Sequence, residues 1–216
     1  MKKMQDIEIF SLLQLTDSQR IEVQDLYQLC KKKDLLKAEL EIDESLNFYT
    51  DAPCFFLAYT TDTNPILVGF LFTFCPNYNE AEIKAFVHPD YRRQHIFTNL
   101  VEAAKVVIQD FMFDYILYVV EPNAYCAKEV LSQMNLTKPV EFDHQEYTLK
   151  YNPKDHDKIP SLSLSGEMKI TPVDNKTKAI ALSIAGAAFF ELPSDFSHLI
   201  ESSIQLPNRQ LLLLTI

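Results

Sequence analysis

The residues best suited to chemistry lie between Glu82 and Thr98, in the run E-I-K-A-F-V-H-P-D-Y-R-R-Q-H-I-F-T. A strand ends near His88-Pro89, a short loop carries Arg92 and Arg93, and a helix starts near Phe97. The first turn of a helix offers unpaired N–H groups at the positive end of its dipole, which suits phosphate or pyrophosphate. Two arginines beside that turn add charge-assisted donors. The chemistry implied is anion binding, and the competing reading is an ordinary helix start with solvated arginines. His95 reads as a loop residue near the anion rather than as a base. Phe97 reads first as a core residue of the helix.

The elements around this run can be read from periodicity and turn chemistry. Ile7 to Leu15 reads as a strand and Asp17 to about Lys33 as a helix, with Ile21, Leu26, Tyr27 and Cys30 apolar. A second helix is expected over Leu35 to Leu46. Cys54–Thr60 and Ile66–Phe74 form a hairpin around Asp62-Thr63-Asn64-Pro65, both arms rich in β-branched and aromatic residues. A fourth strand spans Ala81–His88, and Phe97–Asp110 reads as an amphipathic helix. Tyr115–Val120 is apolar throughout, as expected of a strand covered on both faces. A helix over Ala124–Met134 and an alternating strand over Gln145–Tyr151 close the order βααβββαβαβ. The fold class is α/β, with a mixed, mostly antiparallel central sheet flanked by helices. The piece from Ala81 to Val120 is expected to be a right-handed parallel crossover.

V-H-P-D-Y-R-R-Q-x-I ahead of an amphipathic helix resembles the acyl-CoA signature of the GNAT superfamily of N-acetyltransferases. The family pattern is Arg or Gln, two residues, Gly, one residue, then Gly or Ala. It falls on Arg92, His95 and Phe97. The resemblance implies acetyl-CoA as co-substrate, with pantetheine contacts at Phe86 and Val87. It implies pyrophosphate contacts from Arg92, Arg93, Gln94, His95, Ile96, Phe97 and Thr98. It covers residues 1–152, including Glu146-Tyr147-Thr148-Leu149 as the family's last strand. Both loop glycines are replaced, and the chain has only three, Gly69, Gly166 and Gly186. His or Phe there keeps an ordinary helical geometry with its N–H toward phosphate, while space for the ligand shrinks.

Aminolysis of a thioester needs a neutral amine, an outlet for its proton, donors for the oxyanion and protonation of the leaving thiolate. The resemblance implies an oxyanion donor among the backbone N–H groups near Phe86 or Val87. The family's strand-four glutamate falls on Ala81, so Glu82 is a candidate base only if a bulge turns it to that face; a solvated strand-end charge is the other reading. Glu121, just past the fifth strand, is a candidate base or an exposed loop residue. Asn123 matches an asparagine near the family's cofactor and is also a helix N-cap candidate. The family's acid tyrosine falls on Leu131, and Tyr125, nearly two turns earlier, is the substitute. Direct acetyl transfer from acetyl-CoA to an amine is one function that follows. A degenerate module that binds acyl-CoA or a partner without catalysis is the second, and an interaction domain without CoA affinity the third.

Composition limits the alternatives. The 216 residues carry a net charge of −10, against the basic face that nucleic-acid binding requires and mildly in favour of an amine-bearing acceptor. No run approaches the ~20 apolar residues of a membrane span, and no signal peptide is expected. Cys30, Cys54, Cys75 and Cys126 fit neither a zinc site nor a disulfide framework. They read as buried reduced thiols of a cytoplasmic protein, and no metal site is expected.

Beyond residue 152, residues 153–166 read as a linker and the opening pattern then recurs. A strand over Met168–Thr171, helices over Asn175–Phe190 and Phe196–Ile204, and a strand from Leu211 repeat the order seen from Ile7 to Thr60. Residues 167–216 are thus expected to be a partial second GNAT-like repeat. The run Leu211–Leu214 at the end suggests a fragment of a longer tandem protein rather than an accessory half-domain. Covering the first domain, pairing in a homodimer, or lacking structure in isolation are the three fates open to this segment.

Overall fold

In the computed structural model, residues 6–121, 123–134, 169–189, 193–205 and 211–215 are described. The chain divides into two compact units, Met1–Asn135 and Leu136–Ile216.

The first unit is built on a five-stranded sheet in sequence order. Its strands are β1 (Ile7–Leu12), β2 (Phe55–Thr60), β3 (Leu67–Phe74), β4 (Glu80–Val87) and β5 (Tyr115–Tyr118). The first three pairings are antiparallel and the last, β4 with β5, is parallel. Helix α1 (Asp17–Asp34) covers one face, α2 (Ile96–Asp110) is the crossover on the other, and α3 (Tyr125–Gln133) follows β5. This is the α/β architecture expected.

Alternation sorts the sheet into two cores. Phe56, Ala58, Leu71, Ala81 and Ile83 meet Ile96, Leu100, Val101, Ala104 and Ile108 of α2. Phe55, Leu57, Phe70 and Phe72 meet Val23, Leu26 and Cys30 of α1. The β2–β3 register shifts beside Ala58 and Tyr59, so one residue of β3 bulges. Val68 and Gly69 consequently both face α2: Val68 is in the α2 core, and a Cβ at Gly69 would strike Ile96.

Local chemistry explains the element ends. Thr16 caps α1 in a reciprocal capping box with Gln19, and β1 ends at Leu12 rather than Leu15, where its ladder with β2 ends opposite Phe55. Lys31, Lys32 and Lys33 occupy the last turn of α1, where they complement its dipole. The helix expected over 35–46 does not form. Leu35 turns left-handed (φ 57°) and the amide of Leu36 returns to the Lys31 carbonyl, so α1 ends there. From Lys37 on, backbone groups bond to side chains instead of to a helical ladder, and only the 3₁₀ turn Glu44–Leu46 is regular. Strand β5 is shorter and more exposed than its apolar letters suggest, because it is the outermost strand of the described sheet. The strand expected over Gln145–Tyr151, its natural cover, lies outside the described residues, as does the expected linker. Cys30, Cys54 and Cys75 are buried free thiols, whereas Cys126 is exposed.

The second unit contains β6 (Lys169–Pro172), α4 (Lys178–Phe189), the 3₁₀ turn Pro193–Phe196, α5 (Ser197–Gln205) and β7 (Leu212–Thr215). Strands β6 and β7 pair antiparallel, as β1 and β2 do in the first unit. Among the described residues no helix is long and apolar enough to cross a membrane.

Candidate active site

Strand β4 parts from β5 halfway along. The parallel ladder covers only Glu80 to Ile83, and its last bond runs from the amide of Val119 to the carbonyl of Ile83. The antiparallel ladder to β3 continues to Val87, and the amide of His88 bonds to the carbonyl of Val68. Strand parity follows from these two bonds. Backbone groups of Lys84, Phe86 and His88 point to β3, while those of Ile83, Ala85 and Val87 point toward β5. Past Ile83, β5 has left, so Ala85 and Val87 face a gap with no strand partner among the described residues.

The gap leads to the loop ahead of α2. Pro89–Tyr91 forms a 3₁₀ turn, Arg92 is extended, and Arg93 (φ 62°) and His95 (φ 60°) are left-handed. His95 is the N-cap of α2 and makes no side-chain cap bond, so the first amides of the helix are left without a cap. A left-handed residue costs roughly 1–2 kcal/mol where it is not glycine, although histidine tolerates the region better than most. The ordinary helical geometry expected at His95 is therefore replaced by the conformation glycine would adopt. Ile96 is buried and lies directly over Gly69, and Phe97 packs at the edge of the α2 core. Gln94 is half-buried and Thr98 exposed in the first turn.

Both loop arginines are matched by carboxylates. Arg92 is bidentate on Asp34 at the end of α1 (Nη1–Oδ1 2.8 Å, Nη2–Oδ2 2.6 Å), and its Nε donates to the carbonyl of Val87 at 3.1 Å. The Asp34 carboxylate raises the Arg92 pKa above its ordinary value. The thiol of Cys30 donates to the same Val87 carbonyl at 3.4 Å. Arg93 pairs with Glu129 of α3 at 2.8 Å, an exposed contact of small energetic weight. Beside the loop, a hollow of about 380 Å³ is lined by Leu29, Lys32 and Lys33 of α1 and His88, Pro89 and Asp90.

The candidate proton carriers are dispersed. Glu82 lies in the half of β4 still paired to β5, opposite Leu117, and shares the sheet face of Phe86 rather than of Ala81. No bulge interrupts the β3–β4 register to turn it. Glu121 sits just beyond the parting of the strands. Its carboxylate accepts the amides of Lys37 (2.8 Å) and Ala38 (3.3 Å), fastening the segment after α1 across from β5. Tyr125 opens α3 and is 77% exposed. The N-cap of α3 is Ala124 rather than Asn123, and Asn123 is exposed with its carbonyl accepting the amide of Tyr125. Leu131 lies in the same helix.

Sequence reasoning missed three participants. Ala85 presents its backbone to the gap, whereas the backbone of Phe86 is bonded toward β3 and its ring packs on Phe70 and Tyr27; counting strand parity back from His88 points to it. Asp34 holds Arg92 from 58 positions upstream, and nothing local in either segment announces the pair. The hydroxyl of Tyr27 donates to the carbonyl of Ala38, with its pKa pushed up to about 12 by burial and then by Glu121 and Glu39.

Residues 20–128 match the model of the GNAT acetyltransferase family. A GCN5-related N-acetyltransferase from Sphaerobacter thermophilus aligns over 91% of this chain and 64% of its own, at 12% identity and TM-score 0.57. An acetyltransferase from Streptococcus agalactiae aligns over 68% of this chain and 92% of its own, at 16% identity and TM-score 0.50. An aminoglycoside acetyltransferase from an uncultured soil metagenomic sample, solved with sisomicin, aligns over 68% and 97%, at 19% identity and TM-score 0.46. At these identities the structural likeness speaks to fold. No match was found among curated protein sequences.

Proposed function

The chain belongs to the GNAT acetyltransferase family and is an acyltransferase, and we propose that it moves an acetyl group from acetyl-CoA directly to an amine of a small molecule or protein. The observation that carries the reading is the parting of β4 from β5 after Ile83, in line with the uncapped start of α2. A pantetheine arm in the gap meets the backbone of Ala85 and the amide of Val87 as a missing strand would, the Val87 carbonyl being taken by Arg92 and Cys30. A pyrophosphate at its outer end meets the amides of residues 93–98, where the helix dipole favours negative charge.

When bound, acetyl-CoA supplies a thioester whose acyl carbon the amine attacks. The N–H groups of Ala85 and Val87 are the donors for the acyl oxygen, and a donor of this kind is worth roughly 3–4 kcal/mol of barrier. Proximity along the strand contributes much of the rest. Glu121 is the proposed acceptor of the amine proton, since it stands beside the parting and each of its oxygens retains a lone pair. Glu82, further down β4, is the reserve. Tyr125 is the proposed donor to the leaving sulfur. Buried free thiols at Cys30, Cys54 and Cys75 support a reducing, cytoplasmic setting.

A second reading is favoured by one observation. The loop arginines are each engaged by a carboxylate and its left-handed residues are not glycines, which suits a module that binds acyl-CoA without turning it over. Thermal unfolding with and without acetyl-CoA, followed by thiol release over a panel of amines, tests both. A ligand at 100 times its dissociation constant stabilises by about 2.7 kcal/mol. An upward shift with thiol release supports the enzyme, and a shift without release supports the module. An unchanged transition at millimolar acetyl-CoA would sink both.

A further inference from the structure

We propose that Asp34, the last residue of α1, is a positioning residue of the acyl-CoA loop: through Arg92 it holds Arg93 and His95 left-handed, so that the first amides of α2 face outward. The proposal rests on the acetyl-CoA reading above and adds a residue that touches neither substrate.

Three of the five N–H donors of the Arg92 guanidinium are committed to oxygen acceptors, and Nη1 also lies 3.8 Å from Sγ of Cys126. Nη1 and Nη2 are both on the Asp34 carboxylate, and Nε is on the carbonyl of Val87. The paired fork that would grip a phosphate is thus already on a carboxylate, and the two side chains are only 23% and 18% exposed. One side chain consequently joins the end of α1, the end of β4 and the start of the loop. On the other side of the loop, Ile96 is seated over Gly69. Residues 93–95 are strung between these two anchors.

That arrangement answers the question raised by the missing glycines. Arg93 and His95 adopt a backbone region disfavoured for side chains with a Cβ, and His95 makes no cap bond in compensation. The Arg93–Glu129 pair is exposed and contributes little. The half-buried, bidentate Asp34–Arg92 pair is the strong local contact that can hold the shape. In this chain a fixed neighbour stands in for glycine's conformational freedom.

A latch and a direct phosphate ligand differ in sign. If Arg92 gripped pyrophosphate, releasing it by Asp34→Asn would leave acetyl-CoA binding unchanged or tighter. As a latch, Asp34→Asn weakens binding about tenfold, and adding Arg93→Gly and His95→Gly to that variant restores it to within about threefold. The experiment is calorimetric titration of the full chain with acetyl-CoA, with circular dichroism confirming each variant's fold. Arg92→Lys, which keeps the charge but loses the fork and the Nε bond, also binds about tenfold more weakly, and recovery of that loss by Arg93→Gly and His95→Gly decides the matter should Asp34→Asn fail to fold. Wild-type binding with an unaffected or tighter Asp34→Asn overturns the latch alone, as does a loss that the glycines do not recover. Absence of wild-type binding overturns the acetyl-CoA reading and the latch with it.

Discussion

Replacing Gly69 by alanine tests how the site is held, because the sheet and the loop meet there. A Cβ at Gly69 would lie 2.6 Å from Cγ2 of Ile96, 3.0 Å from Cδ1 of Leu100 and 3.2 Å from Cβ of Ala58. Carbon atoms pack best at about 3.5–4.0 Å, so the Ile96 contact is short by roughly 1 Å. Ile96 is β-branched, stiff at χ1 within a helix and 2% exposed, so it cannot swing aside and the first turn of α2 must lift. Overpacking of this kind costs about 1–3 kcal/mol. Relief of the backbone entropy of a strand glycine offsets roughly 0.5–1 kcal/mol of it. The net expectation for Gly69→Ala is about 1–2 kcal/mol lost in urea unfolding, with weaker acetyl-CoA binding because the donor amides move with the turn. Ile96→Ala alone leaves a cavity and costs roughly 2–5 kcal/mol. In the double variant the new methyl enters that space, so its loss should fall below the sum of the two by about 1 kcal/mol or more. Strict additivity, or a Gly69→Ala protein with unchanged stability and acetyl-CoA affinity, would refute the account of Gly69 as the seat of α2.

Three further outcomes are expected. Cys54 and Cys75, both pushed up to about 12 chiefly by burial from an ordinary value of 9, and Tyr27, pushed up to about 12 from 10, hold their protons longer folded than unfolded. The stability they contribute is full below pH ~9 and is lost as pH rises toward 12; a urea midpoint that stays flat between pH 8.5 and 11 contradicts this. In native protein one thiol, Cys126, should react promptly with a disulfide reagent, while Cys30, Cys54 and Cys75 react only on unfolding; four fast thiols would disprove their burial. Glu121→Ala removes the acceptor for the Lys37 and Ala38 amides and the proposed base together, whereas Glu121→Gln keeps one acceptor oxygen. General-base loss of about 10²–10⁴-fold in kcat is expected in both, with raised protease sensitivity at residues 35–46 only in the alanine variant. Undiminished kcat in both removes Glu121 from the chemistry.

What could be read from the letters was what neighbours in sequence decide. The hairpin, α1 and the β4–α2 passage came from periodicity and turn residues, all acting within a few positions. The helix expected over 35–46 has respectable helical letters. It fails because Leu35, not a glycine, takes the left-handed stop, and because Glu121, 84 and 83 positions away, claims the amides that follow. That a loop with two arginines precedes α2 was legible, but its mechanics were not. Asp34 is far off in sequence, and the left-handed turns fall on residue types that do not signal them. Strand parity, not weighed from the letters, turns the backbone of Phe86 toward β3 and leaves Ala85 facing the gap.

The short β4–β5 ladder also sets how the protein comes apart. Strands β1 to β4 are joined by long antiparallel ladders between two packed faces, whereas among the described residues β5 is attached by four pairs to β4 and carries half-exposed side chains. Local opening follows the weakest cooperative unit rather than the whole. Amide protons of residues 116–119 should therefore exchange with solvent through detachment of β5 alone, while those buried in β2 and β3 wait for global unfolding. Among the described residues, the strand that borders the gap beside Ala85 and Val87 is thus the one held by the shortest ladder, and the gap can widen without disturbing β1 to β4.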